Sequence, residues 1–391
     1  MNSDTAAEDR AFFASLARPA IRDLRAYDPG HDLVALRREF AQRVPQQMLQ
    51  NELIELGSNE NPYGPSPRAR EAALAAIDEM YRYPDPRGGD LKRALAATHD
   101  VDQSQISLGN GSHELLMHLA QVFAGPGVDV VLPQYGFAVF VIAARAAGAN
   151  AVIVPALPAD DAMPYGHDLD ALLAAVTPDT RLLYVANPNN PTGTWYPADA
   201  FEHFIAAVPE RTLVVVDEAY AECADAPDYA SALALLGKHR NLIVTRTFSK
   251  AYALAGLRVG YAIGHPELIA ILERMRESFN INNVALAAAE AALGDEAYLR
   301  TTLARNAEQR ARLAEALRER GWRVSPSQTN FLLVEFGGAT VAIEAALREA
   351  GVVLRPMGGY GLPGHLRISV GDENENRGLL AALDRIAGTV A

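Results

Sequence analysis

Five short segments of the sequence place reactive or anion-binding side chains next to the small residues that let a ligand approach. In Gly109-Asn110-Gly111-Ser112 the glycines bare backbone amides and a helix follows, an arrangement that attracts phosphate. A plain turn with Ser112 as helix cap accounts for the same residues. Asp129 lies 20 residues after Gly109, the spacing of a dinucleotide fingerprint, but Glu114 stands where the third glycine should be and would repel a pyrophosphate. Asn187-Pro188-Asn189-Asn190-Pro191-Thr192-Gly193 reads as loop punctuation or as a stiff loop aiming an amide at a ligand. Asp217-Glu218-Ala219-Tyr220 closes the apolar run Leu213–Val216; a carboxylate there needs a partner, either a structural arginine or lysine or a cationic ligand atom. Thr247-Phe248-Ser249-Lys250, with Arg258 eight residues on, offers an amine beside hydroxyl and guanidinium donors suited to a phosphate. Tyr135, after Pro133-Gln134, could stack on a flat ring or simply pack in a core.

These segments sit where apolar runs end. The runs Gln105–Leu108, Asp129–Leu132, Ala151–Val154, Arg181–Ala186, Leu213–Asp217, Leu242–Arg246 and Val259–Ile263 are mostly continuous, as expected of strands covered on both faces. Helical stretches such as Ser66–Tyr81, Ser112–Ala124 and Pro197–Val208 alternate with them, predicting an α/β domain with a mostly parallel sheet over residues 57–283. In such sheets ligands lie at the carboxyl ends of the strands. From Val284 the texture changes to a long helical region reaching about Arg320, then the strand Asn330–Phe336, the helix Val341–Ala350, the strands Val352–Arg355 and His365–Val370, and a closing helix. Residues 284–391 thus read as a smaller α+β domain, and residues 1–56 as a helix and an irregular arm.

Composition narrows the function classes. The chain has 391 residues, enough to bury a core without disulfides or metals as staples. Its single cysteine, Cys223, forms no intrachain disulfide, which suits a reducing, cytoplasmic setting. Residues Met1–Arg10 do not read as a signal peptide, and charges interrupt every long apolar stretch, so no membrane span is expected. With a net charge of −13 and scattered Lys and Arg, nothing marks a nucleic-acid binder. His113, Glu114 and His118 suggest zinc at a glance, but histidines five apart point about 140° away from each other on a helix. No metal is expected.

Taken in order, the segments supply phosphate donors, a stacking ring, an amide for a ring oxygen, a partner for a pyridinium and an imine-forming lysine. Those are the parts of a pyridoxal 5'-phosphate (PLP) site. The chain resembles the fold-type I PLP aminotransferases, and more narrowly the histidinol-phosphate aminotransferases. The likeness runs from Ile21-Arg22-Asp23-Leu24 to Arg367-Ile368-Ser369-Val370-Gly371. It is carried by Ser58-Asn59-Glu60-Asn61-Pro62-Tyr63-Gly64-Pro65, Tyr83-Pro84-Asp85, Ser249-Lys250-Ala251-Tyr252-Ala253-Leu254-Ala255-Gly256-Leu257-Arg258 and Leu354-Arg355-Pro356.

The resemblance implies a large PLP-binding domain, a small C-terminal domain and a homodimer with shared sites. It implies that Lys250 carries the cofactor, Asp217 pairs with its pyridinium nitrogen, and Asn190 and Tyr220 bond its ring hydroxyl. Tyr135 would stack on the ring. Gly111, Ser112, Thr247, Ser249 and Arg258 would hold the phosphate, with His113 beside it and Tyr83 reaching over from a second subunit. Tyr27, Asn59, Arg355 and Arg367 would bind the substrate, an amino donor exchanged with a 2-oxo acid. The implied reaction is histidinol phosphate with 2-oxoglutarate, in histidine synthesis. Ala26 stands where the family often has proline, and His113 where it often has an acid or amide. Three rival readings share many of these residues: an aromatic amino acid aminotransferase, a PLP decarboxylase of a phosphorylated amino acid, and a non-catalytic PLP-sensing module. The last would need a DNA-binding segment, and residues 1–56 carry no helix-turn-helix pattern or basic cluster.

Overall fold

The structure is a computed structural model and describes residues 3–22, 24–27, 30–43 and 53–390. Asp23, in the opening segment of the family resemblance, lies outside the described residues. Seven strands form the central sheet: β1 (Ile106–Gly109), β2 (Asp129–Pro133), β3 (Asn150–Val154), β4 (Thr180–Ala186), β5 (Leu213–Asp217), β6 (Leu242–Thr247) and β7 (Gly260–Gly264). Their order is β1-β7-β6-β5-β4-β2-β3, and β7 alone runs against its neighbours. Every residue of β5, β6 and β7 is buried, which explains why none of them alternates apolar with polar residues.

Helices cover both faces. Leu115 and Leu119 of the helix Ser112–Phe123 and Phe140 and Ala143 of the helix Ala138–Ala147 pack on Leu132, Tyr184 and Val215. On the other face Phe201 and Ile205, from the helix Ala198–Ala207, meet Val131, Leu183 and Val214. Because β1, β2, β4, β5 and β6 all point the same way, their carboxyl ends share one edge of the sheet. Each of the five reactive segments follows one of those ends.

The smaller body is an antiparallel sheet in the order Arg355–Pro356, His365–Ser369, Phe331–Glu335, Arg323–Val324. It packs beneath the helices Glu296–Glu319, Thr340–Glu349 and Glu373–Val390 through Leu313, Leu317, Leu347 and Leu379. The expected strand Val352–Arg355 is two strands. Val352–Val353 pairs in parallel with Ile54–Glu55, while Arg355–Pro356 crosses to pair with His365–Ser369. The long helical region also divides. Gly294 and Asp295 separate the helices Asn283–Leu293 and Glu296–Glu319, and Ala285, Ala288 and Ala292 of the first pack with Leu91, Leu95 and Ile263 of the large body. The helix expected at Ser66–Tyr81 starts under the Ser66 cap, whose hydroxyl accepts from the Ala69 amide, and ends at Ile77. Ahead of Ile54 the described residues form the helices Ser3–Leu16, Pro19–Arg22 and Leu33–Arg43.

Candidate active site

A cavity of about 290 Å³ opens at the carboxyl edge of the central sheet, walled on its far side by the small sheet and the N-terminal arm. Its large-body wall carries Ser112, His113, Asn190, Asp217, Tyr220, Thr247, Ser249, Lys250 and Arg258; its outer wall carries Tyr27, Asn59, Arg355 and Arg367.

The end nearest the helix Ser112–Phe123 is built for an anion. The Thr247 hydroxyl donates to the Ser249 hydroxyl at 3.0 Å, and Arg258 Nη1 donates to the same oxygen at 3.3 Å. Gly111 lies against the Arg258 guanidinium: its φ is 81°, and a Cβ there would fall 2.4 Å from Nη2. Any other residue would be strained and would push the guanidinium away. Two hydroxyls, a guanidinium and a free helix N-terminus can together neutralise a phosphate. His113, beside them, is held below its usual range by burial and by Arg258, so it adds a neutral ring.

At the end of β5, Asp217 is buried and accepts from the Thr245 hydroxyl at 3.0 Å. Burial pushes its carboxyl up to about 7, although that bond and the Ala219 amide pull the other way. It lacks a cation. Next to it the Tyr220 hydroxyl accepts from the Asn59 side-chain amide at 2.9 Å.

Lys250 follows β6 and its ammonium donates to the Ser58 carbonyl at 3.2 Å. Burial brings it down to about 8; Arg367 and Arg258 act in the same sense and Glu60 opposes them. Across the cavity, Arg367 and Arg355 are direct cross-strand partners in the small sheet. Arg367 donates to Asn190 Oδ1 at 2.6 Å and to the Gly57 carbonyl at 2.9 Å, and its Nε is buried without a partner. Burial lowers its pKa.

Besides Gly111, which lies against Arg258, two expected residues stand off the cavity wall. Tyr135 packs edge-on against Tyr165, and its carbonyl accepts from Asn189; Phe137, two residues on, lines the wall instead. Phe137 was missed because it begins the helix Ala138–Ala147, where an aromatic reads as core. Tyr83 is 82% exposed and stacked on Phe279. Ser58 was also missed, since it acts through its carbonyl and no side-chain pattern announces that.

A doubly wound sheet with a lysine and a buried acid at adjacent strand ends, capped by a small α+β body, defines the fold-type I class of PLP-dependent transferases. The chain belongs to the aminotransferase class I and II family, whose model matches residues 51–383. It is 46% identical over 367 residues to histidinol-phosphate aminotransferase 2 of Ralstonia nicotianae, covering 93% of this chain and 95% of that one. With histidinol-phosphate aminotransferase 2 of Pseudomonas aeruginosa it shares 43% identity, covering 96% of this chain and 98% of the relative. Among solved structures it resembles histidinol-phosphate aminotransferase from Sinorhizobium meliloti in complex with pyridoxal-5'-phosphate. The TM-score is 0.85 at 33% identity, covering 96% of this chain and 99% of that one.

The residues fit that cofactor on their own chemistry. The hydroxyl and guanidinium cluster suits its phosphate, the uncompensated Asp217 suits its ring nitrogen, and the depressed Lys250 amine suits its aldehyde.

Proposed function

We infer that this chain is a PLP-dependent transaminase that exchanges an amino group between histidinol phosphate and 2-oxoglutarate, as its relatives' names suggest. The observation that carries the substrate is the pairing of Arg355 with Arg367 on one cavity wall, with Tyr27 beside them and Lys250 facing them. A phosphate ester carries nearly two negative charges and three acceptor oxygens, which two guanidinium groups and a hydroxyl match. An amino acid carboxylate needs only one arginine. The relatives' names do not favour the aromatic aminotransferase reading.

When bound, the cofactor supplies an electron sink that lets an amino donor's α-proton leave and return at another carbon. The chain's own residues do the rest. Lys250, brought down to about 8, is a base far more available near neutral pH than an exposed lysine, and it takes the proton and returns it. Asp217 would hold a proton on the ring nitrogen of the bound cofactor, and that cation would favour the charged form of its own carboxyl. Asn190 and Tyr220 address the ring hydroxyl; Gly111, Ser112, Thr247, Ser249 and Arg258 hold the phosphate, with His113 at its side. Arg367 and Asn59 orient the donor, and Tyr27 and Arg355 take its phosphate.

The active unit in this reading is a homodimer in which Tyr83 of a second copy completes the phosphate site. Its support is an exposed row that includes Met80, Tyr81 and Tyr83, at 69%, 72% and 82%. A reducing, cytoplasmic setting is supported by the single free, buried cysteine. Among the described residues no helix is long and apolar enough to cross a membrane.

The test is a comparison of donors. Wild type should turn over histidinol phosphate with 2-oxoglutarate, and Arg355→Ala should lower kcat/KM for it roughly a hundredfold, from the loss of about 3 kcal/mol of charged contact. Phenylalanine should lose much less. Equal losses on both donors would remove the phosphate-clamp argument.

A further inference from the structure

Tyr27 reaches the cavity from an arm that is held on both sides of it, by the large body before it and by the small body after it. Toward the helix Ala138–Ala147, the stretch Leu24–Tyr27 bridges a second cavity of about 180 Å³, floored by Val141, Ile142 and Arg145. Just before that stretch, Arg18 donates to the Ala146 carbonyl at 3.0 Å and the helix Pro19–Arg22 packs on the same helix. The Tyr27 ring makes edge contacts with His113 and Phe137, at 6.2 and 6.3 Å between centroids.

The described residues that follow Tyr27 are tied to the small body and to the strand that joins it. Gly30, at φ 95°, lies so close to Arg355 that a Cβ would fall 1.9 Å from Nη1. His31 Nε2 stands 3.0 Å from Oε1 of Glu344, on the helix Thr340–Glu349. Arg37 pairs with Glu55 at 2.6 Å, and the Phe40 ring lies against Gly351. These contacts differ in weight. The Arg37 side chain is 63% exposed, so its pair is screened and worth little. Those of His31 and Glu344 are 25% and 11% exposed, and Glu344 would be left buried without the imidazole.

We propose that His31, through Glu344, is a positioning residue for the donor: the pair latches the arm to the small body so that Tyr27 and Arg355 meet the donor's phosphate together. The proposal rests on the functional reading above. It assigns specificity to a contact that touches neither substrate nor cofactor.

In the holoenzyme, His31→Ala and Glu344→Ala should each raise KM for histidinol phosphate about tenfold and change kcat less than about twofold, the signature of lost ground-state positioning. His31→Lys, which can reach Glu344 with an ammonium, should recover most of that KM. The double variant should be no worse than the worse single one, because one shared contact is lost. An unchanged KM in folded His31→Ala, a Lys variant no better than Ala, or additive losses would each overturn the latch. Hydrogen exchange over residues 33–40 reads it without any donor: exchange should be faster in His31→Ala than in wild type, and equal rates overturn it. A wild type inert toward histidinol phosphate overturns the functional reading instead, and the exchange experiment still decides the latch.

Discussion

The cofactor cradle and the donor wall face each other across one cavity, and the chain builds them by opposite means. The cradle is local: a strand ends, and within a few residues the functional side chain follows, as Lys250 follows Thr247 and Tyr220 follows Asp217. The wall is assembled from distant pieces, with Tyr27 on the arm, Asn59 after the short strand Ile54–Glu55, and Arg355 and Arg367 on adjacent antiparallel strands. Their electrostatics are mirror images. The cradle buries a carboxyl that lacks a cation, and the wall buries a guanidinium, Arg367, that gains from an anion. The cofactor's ring nitrogen would answer the first, and an anionic group of the donor the second. A parallel sheet fixes a reactive group rigidly, while a wall of separate segments can be retuned without disturbing it.

The sharpest way to break this comparison is at Lys250. Lys250→Ala should abolish turnover, because the variant loses both the attachment point and the proton carrier. Borohydride treatment of the yellow wild-type holoenzyme should fix the cofactor to the peptide containing Lys250, and label on another lysine would overturn the assignment. Asp217→Ala comes next: turnover should fall by several orders of magnitude while the fold survives. Near-normal activity in that folded variant would remove its proposed role at the ring nitrogen. Both losses should be the same for every donor, whereas the Arg355→Ala loss should depend on the donor's phosphate.

The same contrast explains what could be read in the sequence. The strand β5 is visible residue for residue as Leu213–Asp217, because a buried parallel strand must be apolar throughout and its end is marked by the acid. The broken strand at Val352–Pro356 was not legible. A single β-branched run there serves two different sheets, and only the tertiary pairing with Ile54–Glu55 divides it. In the cradle, the hydroxyl and guanidinium donors announce themselves by type and spacing. Phe137 on the wall does not, since an aromatic at a helix start looks the same in a core and in a site. The cross-strand pairing of Arg355 with Arg367 is equally silent, because register is set by the turn between them and not by either residue.

A smaller effect tests whether the cradle is complete within one chain. Tyr83 lies exposed on Phe279, and the proposed dimer has it reach the phosphate of a second copy. Tyr83→Phe should weaken cofactor binding about tenfold, the loss of one hydrogen bond to a charged group. Mixing Tyr83→Phe with Lys250→Ala subunits should give heterodimers with one site carrying both lesions and one carrying neither. A recovered activity no greater than the sum of the two parents would show that each chain supplies its own Tyr83.

A last effect concerns the charge that the cradle carries in the cofactor-free protein. In the cofactor-free protein the Asp217 carboxyl sits at about 7, above the usual carboxylate range, because burial disfavours its charged form. A carboxyl raised on folding stabilises the fold fully below the unfolded value, near 4, where both states hold the proton. As pH rises from there, the unfolded chain ionises first, and the native state gives up stability until its own carboxyl titrates near 7. The cofactor-free enzyme should therefore lose up to a few kcal/mol between about pH 4 and pH 7 from this residue alone. Asp217→Asn, read by thermal unfolding of cofactor-free protein, should flatten that part of the profile. Adding the cofactor to wild type should flatten it too, because a protonated ring nitrogen opposite Asp217 brings the carboxyl back toward its ordinary value. The donor wall predicts no such slope, since Arg367 stays charged throughout that range. Equal pH profiles for wild type and Asp217→Asn would mean that Asp217 finds its cation within the empty chain, and the mirror-image charges of cradle and wall would no longer hold.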